Sequence, residues 1–311
     1  MITVLHYLCQ SGNLDIVKHI SNIAEANFDV KDKDSRTLLH EACNCDNYEL
    51  VKFLVETSRV DVFAKDKLDN TLLHESFNNL QILQYLISLN KIDVNSKDKF
   101  GFTVFLKAAS EGNVSVIKYL ASLKEVDITV QDSDEKNALH YLVSSGNLPL
   151  VDLLVKMNKI PLDQTDKDRM TLLHYASENK KLDLLKYIIK FDEIDPNSRN
   201  NKTLLHITTK YGCLESTQYL ITLDRIDLNA KDNDGNTIFH NACSTENIDL
   251  IQYLITLDKF DLNEKNKDKK TPLYFAIESE NIHVIKYLAS LSGIDLNTTD
   301  DDNKTLLHIA T

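Results

Sequence analysis

Thr37-Leu38-Leu39-His40 decides how this chain is read, because the same four residues return at 71–74, 171–174, 203–206 and 305–308. Degenerate copies fill the intervals: Thr3-Val4-Leu5-His6, Thr103-Val104-Phe105-Leu106, Asn137-Ala138-Leu139-His140, Thr237-Ile238-Phe239-His240 and Thr271-Pro272-Leu273-Tyr274. Successive copies start 34 residues apart, except for the steps from 71 to 103 and from 171 to 203, which are 32. A period of this size marks a repeat architecture, in which each unit is too small to bury its apolar face alone and buries it on its neighbours. The 311 residues are therefore expected to form one array over 1–311 rather than two or three domains.

Within a unit, Leu38, Leu39 and Ala42 line one side of a first helix, and Leu50, Val51, Leu54 and Val55 have the spacing of a second amphipathic helix. The turn between them is punctuated by Ser11-Gly12-Asn13, Cys45-Asp46-Asn47, Glu111-Gly112-Asn113 and Glu246-Asn247. Glycine accepts positive φ at the end of the first helix, and asparagine suits the N-cap of the second. Residues 61–70, polar and rich in turn formers, predict a hairpin tip. Of the two short repeats, the third loses residues at the end of its first helix, where 76–79 runs directly into Leu80. The sixth loses them from its tip, 195–202, near whose base Pro196 suits an extended edge.

The motif continues with a small residue two after the histidine (Ala42, Ala108, Ala176, Ala242, Ala276), then Gly-Asn or Glu-Asn (112–113, 146–147, 280–281), then an apolar run ending in Tyr-Leu. This pattern resembles the ankyrin repeat, whose signature is Thr-Pro-Leu-His-x-Ala at about 33 residues. The resemblance covers nearly the whole chain, with repeats starting near 3, 37, 71, 103, 137, 171, 203, 237, 271 and 305. It implies an all-α repeat solenoid of helix-turn-helix units with β-hairpin fingers. It further implies a non-catalytic protein-protein interaction scaffold or adaptor that binds a protein or peptide on a concave face of finger tips and first helices. A targeting or regulatory array of a larger enzyme or channel is the alternative.

The same resemblance gives the motif histidines His6, His40, His74, His140, His174, His206, His240 and His308 a structural role, bonding across the turns to tie neighbouring backbones. Standing one per repeat, about 10 Å apart, they cannot converge on a zinc ion, which needs its ligands within about 2.1 Å. Leu106 and Tyr274 replace the histidine in two repeats, where the brace is expected to weaken. Asp232-Asn233-Asp234-Gly235-Asn236 begins like a calcium loop, but its twelfth position is Cys243 rather than glutamate, so it reads as a finger. No phosphate loop, nucleophile elbow or His-Glu-x-x-His stands in the chain, and neither enzyme activity nor cofactor nor metal is expected.

A formal charge of −12 argues against nucleic acid or an anionic membrane as partner. No apolar run approaches the ~20 residues of a membrane span. An intracellular, cytoplasmic monomer is the expectation. Of the five cysteines, Cys9, Cys43 and Cys243 share one register on the packing side of the first helix, a core position. The chain stops inside a first helix, where Leu306, Leu307 and Ile309 would lie uncovered although a solenoid end needs a polar outer face. It is therefore expected to belong to a longer protein, with capping by self-association as the rival.

Most positions of the implied binding face are polar: Lys33, Asp34, Arg36, Asn44, Asn233, Asn236 and Ser244. The middle repeats differ. Phe100 and Phe102 flank Gly101 at one tip, and Tyr141, Met170, Tyr175, Ile207 and Tyr211 fall at corresponding positions in the next three repeats. Such a stripe, with a polar rim, has the anatomy of a protein-binding hot spot.

Overall fold

The computed structural model describes residues 4–22, 27–57, 60–191 and 202–309, the side chains of Leu307 and Ile309 excepted. They form an all-α repeat solenoid that divides into two compact units, Met1–Pro161 and Leu162–Thr311. In the first unit, α1 (Val4–Gln10), α3 (Leu38–Asn44), α5 (Leu72–Glu75), α7 (Val104–Glu111) and α9 (Ala138–Ser145) are first helices. Their second helices are α2 (Leu14–Ser21), α4 (Tyr48–Glu56), α6 (Leu80–Ser88), α8 (Val114–Ser122) and α10 (Leu148–Lys156). In the second unit the first helices are α11 (Leu172–Glu178), α13 (Leu204–Lys210), α15 (Ile238–Cys243), α17 (Pro272–Glu278) and α19 (Leu306–Ile309). Here the second helices are α12 (Leu182–Ile188), α14 (Leu214–Ile221), α16 (Ile248–Thr256) and α18 (Ile282–Ala289). Within each unit every first helix packs on the next, α1 on α3 through to α9 and α11 on α13 through to α19.

The two apolar stripes meet in this stack. Leu38, Leu39, Ala42, Leu50, Val51 and Leu54 are completely buried, as are Cys9, Cys43 and Cys243. Helices of four to nine residues are too short to be stable alone, so packing of these stripes holds them. In most repeats the residue after the inter-helix turn is an asparagine, and in five of these it works in two directions. Asn47 Oδ1 accepts from Leu50 N–H at 3.0 Å, capping α4, while its Nδ2 donates to the Gly12 carbonyl of the preceding repeat at 2.7 Å. Asn247 repeats both bonds with Leu250 and Gly212. Lys181 and Cys213 stand at this place before α12 and α14, and neither side chain caps its helix.

The third repeat is short where expected, since α5 is a single turn of four residues closed by the buried Ser76 hydroxyl donating to the Leu72 carbonyl at 2.7 Å. The clipped finger of the sixth repeat, with Pro196, lies outside the described residues. Among the described residues no helix is long and apolar enough to cross a membrane.

The β-hairpin fingers are not found among the described residues, where strand-type pairing is confined to two isolated bridges, Lys31 with Thr37 and Thr299 with Thr305. What stands there is a five-residue tip folded around one carboxylate. In the tip 66–70, Asp66 Oδ1 accepts from Leu68 N–H and Asn70 N–H, both at 2.8 Å, and the Asp66 N–H donates to the Asn70 carbonyl at 3.1 Å. Asp32, Asp98, Asp132, Asp232 and Asp300 hold their tips with the same two-donor contact, and Asn266 does so with its amide oxygen. The loop that began like a calcium site is one of these turns, its Asp232 facing backbone N–H donors. A side-chain acceptor satisfies donors that a second strand would otherwise need to satisfy, so the hairpin does not extend.

Candidate functional site

Tips are joined in series. Lys67 N–H donates to the Asp34 carbonyl, Lys99 to Leu68 and Ser133 to Phe100, each at 2.8 Å, and the second unit has the counterpart of Lys267 to Asp234 at 2.9 Å. The second tie between repeats is the motif histidine. Thr37 N–H donates to His40 Nδ1 at 3.2 Å, which leaves the ring proton on Nε2, and Nε2 donates to the Asn70 carbonyl at 3.3 Å. His6, His74, His206 and His240 reach the carbonyls of Arg36, Phe102, Asn236 and Lys270 in the same way, at 3.0, 2.9, 3.0 and 3.2 Å. Burial holds His40, His74, His174 and His240 below the usual imidazole range. His40, His74 and His240 are neutral structural groups committed to the backbone of the next repeat, whereas His174 keeps the threonine bond, its Nδ1 accepting from Thr171 N–H at 3.2 Å, but its buried Nε2 reaches no acceptor at such a distance.

Where the histidine is missing, the two substitutes differ. Leu106 is a completely buried core residue. Tyr274 makes a brace of its own, its hydroxyl donating to Asp300 Oδ2 at 2.8 Å, so one repeat is still tied to the next tip. A longer side chain reaches the carboxylate of that tip instead of its terminal carbonyl.

The seven apolar and aromatic residues of the expected stripe occupy several environments. In the first unit Phe100 is 55% exposed, while the half-buried Phe102 ring lies 5.5 Å from the Tyr141 ring and the Tyr141 hydroxyl donates to Asp132. In the second unit Met170 and Tyr175 are half-buried around one residue: Asp166 accepts from Met170 N–H at 2.8 Å and from the Tyr175 hydroxyl at 2.5 Å. Tyr211 is 37% exposed and donates to Glu178 at 2.5 Å, a bond that pushes its phenol up to about 12. Ile207 is 7% exposed. Tyr141, Tyr175 and Ile207 share one register, but a tyrosine is long enough to carry its hydroxyl to the tip, whereas isoleucine ends inside the packing layer.

Gly101 sits at φ +82°, and a Cβ there would meet Ser133 N at 2.7 Å and Asp132 backbone atoms at 2.9 Å. Ser35, Asp69, Glu135 and Arg169, in the same place of other tips, have φ between 60° and 64°, so a side chain is tolerated at this place where φ is smaller than at Gly101. A Gly101→Ala variant is expected to lose about 1–2 kcal/mol. Amide exchange at Ser133, whose N–H donates to Phe100, is expected to accelerate; unchanged exchange would show that the close approach carries no energy.

Two features of this face were not anticipated from the motif. Leu68, at 46% exposure, presents an apolar side chain from the tip before Phe100, and its equal register with Phe100 was the available signal. Arg36 forms a half-buried cluster with two acids, its guanidinium 2.9 Å from Glu75 and 3.5 Å from Glu41. A cavity of about 480 Å³ opens there, between tips and first helices.

Burial pushes the thiols of Cys9 and Cys43 up to about 12 and raises that of Cys243, so all three are poor nucleophiles. Among the described residues no three His, Cys, Asp or Glu side chains are grouped to hold a metal ion.

A family model described as ankyrin repeats (3 copies) matches in overlapping stretches, residues 5–98, 74–166, 105–200, 145–232, 173–265 and 239–311. No curated protein matches the chain.

Proposed function

The chain belongs to the ankyrin repeat family, whose repeats are generally protein-protein interaction modules, and from that premise we propose that it acts as a non-catalytic scaffold or adaptor. It holds a protein or peptide on the face built by its tips and first helices. The observation that carries this reading is a division of labour within each repeat. The histidine and the tip acid are spent on backbone bonds that recur from repeat to repeat. Exposed tip and first-helix side chains between them differ at particular repeats, as Asp34, Leu68 and Phe100 do at one tip register. Function on a shared scaffold resides in such variable positions.

Affinity capture with residues 1–311, run beside a Phe100→Asp, Tyr211→Ala variant, tests the reading. Both residues are exposed, so the variant is expected to keep its stability within about 1 kcal/mol. A stoichiometric partner is expected on the parent, reduced at least about tenfold on the variant. Equal retention by both would move the binding site to another face, and turnover of a small molecule by the purified chain would overturn the non-catalytic reading.

A further inference from the structure

The residue three before each motif start points outward from its tip, and in the eight described tips it is aspartate in all but two. The exceptions are Leu68 and Phe100, which are consecutive and 46% and 55% exposed. Asp34 and Asp134, both exposed, stand on either side of them. The backbone bonds from Lys67 to Asp34, Lys99 to Leu68 and Ser133 to Phe100 hold these four in one row, acid, apolar, apolar, acid. Elsewhere among the described tips this outward place carries only acid.

The cavity beside the row shares Leu68 as a wall and is completed chiefly by Asp34, Asp66, Asn70, Glu75 and Arg36. Two cations stand at it, the exposed Lys67 and Arg36, which lies between Glu75 and Glu41 with its Nε unbonded, against the four carboxylates of Asp34, Asp66, Glu75 and Glu41. Its acceptors are in excess. Glu41 is 6% exposed with one carboxylate oxygen unbonded, and Asn70 is 5% exposed with its amide oxygen unbonded. The reason for the second is specific to this place. Asn236, the counterpart of Asn70, accepts from Asn266 Nδ2 of the next tip at 2.8 Å, but the next tip here carries Asp98, which as a carboxylate has nothing to donate. Burial also lifts the Glu75 carboxyl above its usual range against the opposing pull of Arg36, a sign of incompletely compensated negative charge.

We propose that the row Asp34–Leu68–Phe100–Asp134, with the Arg36 cavity at its side, docks a basic peptide segment whose apolar side chains cover Leu68 and Phe100 and whose lysine or arginine heads meet Asp34, Asp134 and the cavity acids. Charge complementarity selects this occupant. An acidic segment or nucleic acid would face the aspartates as well as the overall charge of −12. A purely apolar segment would leave the acceptors of the cavity unanswered. The inference rests on the protein-binding reading above and narrows it to one site and one partner chemistry.

The test is selection of a displayed random dodecapeptide library on residues 1–311 in 50 mM salt, followed by fluorescence anisotropy with the selected peptides. Enrichment of an apolar pair flanked by lysine or arginine is expected. Leu68→Asp is expected to weaken such peptides at least about tenfold, Asp34→Lys several-fold, and 300 mM salt several-fold. Asp34 is exposed, so its variant reports on binding even if Leu68→Asp proves less stable. Selected peptides that are neutral or acidic, or that bind all variants alike, would overturn the site while leaving a protein-binding scaffold. Absence of enrichment over a bare support would count against both.

Discussion

A His74→Ala variant is expected to lose about 3–5 kcal/mol of stability, the largest effect of any single polar side chain considered for this protein. The ring is 1% exposed. Its Nδ1 accepts from Thr71 N–H at 3.1 Å and lies 2.9 Å from the Thr71 hydroxyl, while Nε2 donates to the Phe102 carbonyl at 2.9 Å. Truncation leaves buried backbone partners without their bonds, each worth about 1–3 kcal/mol, and adds the cavity vacated by the ring. A His74→Leu variant separates the two contributions. Leucine occupies the same register in the next repeat as Leu106, so the volume can be filled and about 2 kcal/mol is expected from lost bonds alone. Urea unfolding of both variants checks the values, and a loss below about 1 kcal/mol for alanine would refute the brace. The effect reaches the candidate surface, because the carbonyl released belongs to Phe102, whose ring lies on Tyr141.

Stability is expected to fall steeply as the pH is lowered from 7 towards 5. Burial depresses His40, His74, His174 and His240 below their ordinary value of 6.5, so protons bind the unfolded chain at a pH where the folded chain refuses them. Their contribution is complete above the unfolded value and declines as the pH drops below it, until the folded values are reached. Each such histidine adds a slope of up to about 1.4 kcal/mol per pH unit, so four acting together approach about 5 kcal/mol per unit. Glu75 works in the opposite sense, since burial raises its carboxyl and folding there favours the protonated form, but it is one group against four. Urea midpoints at pH 7, 6 and 5 measure the slope, and His74→Leu is expected to reduce it by about a quarter. A flat profile would mean that these rings accept protons while folded.

The register of the motif, read along the chain, places the helices, the asparagine caps and the shortened α5 where the structure has them. These are local matters of spacing and capping chemistry. The tips were less legible. Polar turn residues point equally to a hairpin and to a turn wrapped on a side chain, and the aspartate five before most motif starts, as at Asp66, decides for the turn by accepting two backbone N–H groups. That position recurs as regularly as the histidine, but its role appears only once the backbone closes around it.

Exposure was the least legible property. Ile207 and Tyr175 share a register, yet one is buried and the other carries its hydroxyl out to Asp166. Leu68 stands out only beside Phe100, along the bonded row of tips. By itself the sequence determined the family and most of the core, because a hydrophobic period is written along the chain. Only the tertiary structure decided which side chains remain outside that core, because accessibility depends on how closely the backbone of the next repeat approaches.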